Sequence, residues 1–132
     1  MPAMPWITAR TPGSGVELTI IATRLPLRSH RDTPRFMWHT VRIMRQLGKE
    51  DDLIGYSLLA ELHQKTFWTV SAWDSRSGLG RFDRGKPHQD AKDSMRPFMR
   101  PSTIAMWTCT PCEIPVTWPE VRRRIEAVSL RR

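Results

Sequence analysis

Apolar and polar positions change their period several times along the chain, and each change predicts an element boundary. Val16–Leu25 alternates and is rich in Ile, Thr and Leu, which predicts a strand ended by Pro26 and the polar run Arg28–Asp32. Thr33-Pro34 then reads as a helix start, a hydroxyl N-cap followed by proline at the first helical position. Phe36, Thr40, Ile43, Met44 and Leu47 recur on one face, Arg35, Arg42, Arg45 and Lys49 on the other, and Gly48 is the expected stop. Leu53–Leu62 and Thr66–Trp73 are strand-like runs separated only by His63, Gln64 and Lys65, the pattern of a hairpin. Ser75–Phe82 reads as a short helix weakened by Gly78 and Gly80. Pro87 opens a further helix that runs to Arg96 and is stopped by Pro97. Ser102–Thr110 is a fourth strand. Thr117-Trp118-Pro119-Glu120 is a capping box, and Val121, Ile125 and Val128 form the stripe of a last helix.

The order is β-α-β-β-α-β plus a C-terminal helix, an α+β chain built on the ferredoxin-like split unit. Residues 1–15, with Pro2, Pro5, Pro12, Gly13 and Gly15, read as a mobile or loosely docked arm, and 16–132 as a single domain. Helices on one face of a four-stranded sheet leave the other face uncovered. Phe67 and Trp73 fall on one side of their strand and Trp68 on the other, and Trp107 faces opposite to Ile104 and Met106. A sheet apolar on both sides predicts a back-to-back homodimer, unless the arm or the C-terminal helix covers the second face.

Composition narrows this picture. With 39% hydrophobic and 26% charged residues in 132, the chain is an ordinary globular mixture. Its longest uncharged stretch, Pro101–Cys112, is too short to span a bilayer, and no basic region precedes an apolar block at the start. A cytoplasmic protein with no membrane partner is expected. Twenty-one Lys and Arg against thirteen Asp and Glu leave +8. That charge suits an acidic partner, or else simply solvates the surface. The basic helix face with Trp38 nearby, the run Arg122–Arg124 and Arg131-Arg132 could follow phosphates. The aromatic-and-glycine signature of RNA-reading sheets is missing, so a nucleic-acid partner is not expected.

The stretch Phe67-Trp68-Thr69-Val70-Ser71-Ala72-Trp73-Asp74-Ser75 resembles the third strand of antibiotic biosynthesis monooxygenase domains. In those domains a hydrophobic strand ends in Trp, an acidic residue and Ser. A short helix ending in an aromatic follows, here Phe82, and then a His-bearing helix, here Pro87–Arg96. Ile21-Ala22-Thr23-Arg24-Leu25-Pro26-Leu27 is similar to the first strand of the related haem-degrading monooxygenases. The resemblance spans roughly residues 17–110. It implies a dimeric α+β barrel with a pocket in each subunit between sheet and helices. Members of that family include cofactor-independent quinone-forming oxygenases, haem-degrading oxygenases and many proteins of unknown activity, and the same architecture also hosts isomerases, decarboxylases and non-enzymes, so the resemblance alone does not decide the function. Against haem, Thr23 stands where the haem-degrading group has Asn, and Lys92 stands near the proximal His position. His88 lies one turn earlier, a displacement of about 5.4 Å.

His88 shares a helical face with Ala91 and Met95, so its imidazole should point inward, where it could take a proton from a phenol or an activated C–H. Tyr56, the only tyrosine, could relay that proton, and Trp73 completes the catalytic set as a stacking wall with one N–H to donate. Trp68, Trp107, Arg24, Thr23, His39 and Phe82 are the candidate substrate-binding residues. Arg24 suits an anionic group, although a solvated outward position is the plainer expectation. His30 and His63 read as loop residues. No histidine pair has metal-ligand spacing, so no metal is expected. Cys109-Thr110-Pro111-Cys112 leads into Glu113-Ile114-Pro115 rather than a helix, which makes two incidental thiols the expectation.

These readings converge on a small enzyme, a cofactor-independent monooxygenase-like tailoring protein that deprotonates an aromatic or polyketide-like metabolite. An isomerase, cyclase or dehydratase would need the same base and pocket. A dimer that binds haem or another flat apolar ligand without turning it over is the non-catalytic alternative, and a basic interaction protein without a pocket is a third.

Overall fold

The structure, a computed structural model, describes residues 6–9, 17–50, 52–74, 80, 82, 85–110 and 113–130. Five antiparallel strands form one sheet: β1 (Ile7–Thr8), β2 (Leu18–Pro26), β3 (Leu53–Glu61), β4 (Thr66–Trp73) and β5 (Thr103–Cys109). Their order is β1-β3-β4-β2-β5. Among the described residues three helices with defined bounds accompany them: α1 (Thr33–Leu47), α2 (Lys86–Met95) and α3 (Trp118–Leu130). Without β1 and α3 this is the expected ferredoxin-like unit. No described helix is long and apolar enough to cross a membrane.

Local chemistry shifts several boundaries. Thr33 is not the N-cap of α1. A 3-10 turn over His30–Asp32, capped by the Ser29 hydroxyl accepting from the Arg31 amide at 3.2 Å, feeds the chain into helical geometry early, and Asp32 takes the cap position. The β3–β4 hairpin closes through a 3-10 turn over Leu62–Gln64, and Lys65 adopts the left-handed conformation at φ 54°. Beyond α2, Pro97 falls inside a 3-10 turn over Arg96–Phe98. The Glu120 carboxylate is held by Arg123 and Arg124 instead of reaching back over the start of α3. The expected helix Ser75–Phe82 and Cys112 lie outside the described residues, apart from Gly80 and Phe82.

Register assigns every strand residue to a face. Pairing of Ile20 with Ala72 and Trp107, and of Arg24 with Trp68 and Thr103, puts those side chains on one side. Pairing of Ile21 with Ser71 and Met106, and of Thr23 with Thr69 and Ile104, puts those on the other. α1 and α2 take the Thr23 side. α3 takes the Arg24 side, where Val121 and Ile125 are fully buried against Leu18, Ile20, Ala22, Val70 and Ala72. Each such aliphatic contributes about 1.5–3 kcal/mol. The apolar second face that argued for back-to-back pairing is therefore covered, at least in part, from within the chain.

Polar contacts hold α3 in place. Arg122 pairs with Glu61 at 2.9 Å and stacks over Trp68 at 4.7 Å, while Arg124 stacks over Trp107 at 4.9 Å. Part of the expected arm is docked too. Ile7–Thr8 pairs with Gly55 and Tyr56, and Trp6 packs against the core beneath α3.

Candidate functional site

The helix side of the sheet has two apolar clusters with a gap between them. At one end Leu53 and Trp73 pack with Leu47 and Phe82. At the other, Leu27 and Phe67 pack with Phe36 of α1 and Met95 of α2. Two rows of side chains cross the sheet between the clusters, with Ile21 and Tyr56 packing against the first cluster beside Ile43 of α1. One row runs Met106, Ile21, Ser71, Tyr56, and the next Ile104, Thr23, Thr69, Leu58. None of these eight residues is buried, although α1 and α2 lie above the same face. Ile104 and Met106, on the outer strand β5, are 51% and 43% exposed. We call this strip of incompletely covered sheet, most exposed at β5, the trough. Next to its mouth a groove of about 690 Å³ wraps the edge of β5 past Thr19, Met106 and Trp107.

The floor is apolar with hydroxyls at its centre. Thr23 and Thr69 hydrogen-bond to each other across β2 and β4. Ser71 accepts from the indole N–H of Trp73 at 2.9 Å, which leaves the serine proton free to point elsewhere. Tyr56 stands beside Ser71 in the same row.

α1 and α2 each run from one cluster to the other, so their middle turns cross above the trough. On α1 this turn carries His39, which is buried, with Nε2 at 3.1 Å from the Ser94 hydroxyl of α2. Burial holds the imidazole pKa below its usual value, Arg42 and Arg35 lower it further, and Asp90 opposes them. Burial and the two guanidiniums thus favour the neutral imidazole. On α2, His88 packs against Phe82 with ring centroids 5.1 Å apart, and its Nδ1 is buried. Among the described residues no group of three His, Cys, Asp or Glu is placed to hold a metal ion.

The structure brings Thr23, Tyr56, Trp73, Phe82, His39 and His88 to the helix side. It carries Trp68, Trp107 and Arg24 to the other side, so the nine candidates do not share one pocket. Trp73 is fully buried, an end wall of the trough with its N–H already given to Ser71. Trp68 donates its N–H to Glu61 under α3. Arg24 is not a solvated strand end. It donates to the hydroxyls of Thr103 at 3.0 Å and Ser129 at 3.3 Å, because α3 lies over it. His88, the histidine of α2, is packed on Phe82, and Lys92 lies one turn further along the same helix. The sequence reading missed Thr69, Ser71, Leu58, Ile104 and Met106 as floor residues. Strand alternation places them on the face of Phe67 and Trp73, and that was the available signal.

No protein-family model matches the sequence, and no curated protein does. Solved structures do resemble the fold. An antibiotic biosynthesis monooxygenase superposes with TM-score 0.62 at 12% identity, over 71% of this chain and 99% of that one. A conserved protein from Methanosarcina mazei Go1 gives 0.63 at 13% identity, over 70% and 92%. SnoaB, a cofactor-independent oxygenase from Streptomyces nogalater, gives 0.57 at 15% identity, over 80% and 100%. At these identities the likeness concerns architecture: the chain has the fold of the antibiotic biosynthesis monooxygenase-like proteins.

Proposed function

We propose that the chain is a small cofactor-independent monooxygenase-like tailoring enzyme whose substrate, a flat aromatic or polyketide-like metabolite, lies in the trough. The observation that carries this reading is the strip of eight half-buried or exposed side chains under α1 and α2, apolar at its ends and bearing hydroxyls at its centre. Such a strip suits a flat molecule carrying a few oxygens. SnoaB, which shares the fold, supports the reaction class.

In this reading His88 takes a proton from a phenol or an activated C–H, and Tyr56 offers a phenol as a relay. The hydroxyls of Thr23, Thr69 and Ser71 donate to the oxygen on which the negative charge collects. The substrate anion gives an electron pair to dioxygen and forms a C–O bond. Loss of water, carrying off the distal oxygen and a second carbon-bound proton, leaves a new carbonyl. The protein contributes deprotonation, orientation and exclusion of water.

An oxygen electrode and ligand titration test this together. Aromatic polyketide-like phenols should bind and drive oxygen uptake at one O2 per carbonyl formed, and His88→Ala should lower turnover at least about a hundredfold with little change in binding. Turnover unchanged in His88→Ala removes that base. Failure of flat aromatics to bind at all overturns the reading, and a sharp stoichiometric Soret band on adding haemin replaces it with haem binding.

A further inference from the structure

Helix α1 carries no acidic residue, and its outward face is not merely solvated. Trp38 is 58% exposed, and Met37 and Val41 of the same turn are exposed beside it. Arg35 and Arg45 are exposed on that face, and Lys49 follows just past the helix end. At 100° per residue these groups fall within an arc of about 160°, opposite Phe36, Ile43 and Leu47. The indole is held in place, with the Arg42 guanidinium over its ring at 4.9 Å and its edge set against His39 at 5.0 Å.

We propose that this face of α1 docks on an anionic lipid bilayer. The charges complement such a surface. Arg35, Arg42 and Arg45 lie on the helix with no acid in its body, Lys49 follows its end, and acids stand only at its two ends, Asp32 and Glu50, in a chain of net charge +8. Each basic group near an anionic bilayer is worth about 1 kcal/mol. The apolar part matches as well. Trp38, Met37 and Val41 form one patch that can enter the headgroup–acyl boundary, where indoles reside. Restraint of Trp38 by Arg42 and His39 reduces the ordering cost of docking. A nucleic acid is the poorer occupant, because a base stacking on Trp38 would displace Arg42, and exposed Met and Val offer bases little. The proposal stands independently of the chemistry in the trough.

Flotation of the full chain with vesicles tests it. Phosphatidylglycerol–phosphatidylcholine vesicles should carry the protein up, pure phosphatidylcholine should not, and raised salt should release it. Trp38→Ser with Val41→Ser, and separately Arg35→Glu with Arg45→Glu, should each weaken partitioning about tenfold or more. The charge-matched pair Arg100→Glu with Arg123→Glu should weaken it far less. All of these positions are exposed, and thermal melts confirm that each variant folds. Equal losses from both charge pairs, no loss from the Trp38 pair, or no binding to anionic vesicles overturns the proposal. Trp38-dependent binding to an oligonucleotide without vesicle binding reassigns the face to nucleic acid.

Discussion

Thr23 and Thr69, on neighbouring strands, join hydroxyls at the middle of the trough, where the sheet is only half-buried beneath α1 and α2. Each hydroxyl has one proton, so the pair uses one internally and keeps one to donate. The double variant Thr23→Val with Thr69→Val removes both hydroxyls, and with them that spare donor, while keeping the shape of the floor. Because both partners of the bond go together and neither is left unsatisfied, stability should change by only about 1 kcal/mol. Affinity for a flat ligand bearing a carbonyl should fall about fivefold to tenfold, and affinity for the matching hydrocarbon should not change. Urea unfolding and two ligand titrations read these outcomes, and equal losses for both ligands would place the ligand elsewhere.

Trp6 and Gly55 give a sharper structural test. A Cβ built on Gly55 would stand 2.5 Å from Nε1 of Trp6, so the bare backbone of β3 is what lets the indole lie against it. Gly55→Ala should displace Trp6 and cost about 1–3 kcal/mol. Trp6→Ala should cost a comparable amount through lost burial. The double variant should cost clearly less than the sum, since removing the indole removes the clash. Additive costs in chemical unfolding would mean that Trp6 does not rest on Gly55 in solution.

His39 couples stability to pH. Its folded pKa lies below the usual 6.5, chiefly through burial and then through Arg42 and Arg35. The unfolded chain therefore binds a proton more readily, and stability falls as pH drops through about 6.5, levelling off only below the folded pKa. His39→Gln can keep a hydrogen bond to Ser94 but has no proton to gain in this range. Its stability should vary less with pH between about 7 and 5 than that of the parent. Superimposable melting-temperature curves for the two proteins would show that His39 is not shielded.

Much of this architecture is legible in the sequence, and what escapes has identifiable causes. Alternation in β4 places Trp68 and Trp73 on opposite faces, and the 3.6-residue period of α1 picks out Phe36, Ile43 and Leu47, because both patterns are local. β1 is two residues long and carries no pattern to read. Arg24 reads as a solvated strand end because its partners, Thr103 and Ser129, are 79 and 105 residues away. The stripe Val121, Ile125, Val128 announces a helix with an apolar side, but any apolar surface would satisfy it, including a second copy of the chain. The candidate site divides in the same way. The sequence places His88 on the inward face of its helix and His39 near the edge of the apolar face of α1, whereas the trough beneath them depends on how far the helices stand from the sheet.

The seating of α3 bears on self-association. With α3 in place, Leu18, Ile20, Ala22, Val70 and Ala72 are covered, and a second sheet could pack there only by displacing it. Among the described residues its polar ties include the Arg122–Glu61 ion pair, the Arg24–Ser129 hydrogen bond and the stacking of Arg122 and Arg124 on Trp68 and Trp107. Arg122→Met keeps the apolar stem but leaves Glu61 without its cation, and should cost about 1–3 kcal/mol. Ending the chain at Thr117 removes the cover altogether, and an exposed apolar face of that size drives association. The shortened chain should therefore run in native mass measurements as a dimer or larger species, whatever the full chain does. A full chain that is already dimeric, paired with a shortened chain that is monomeric, would locate the contact between copies on α3 itself rather than on the sheet beneath it.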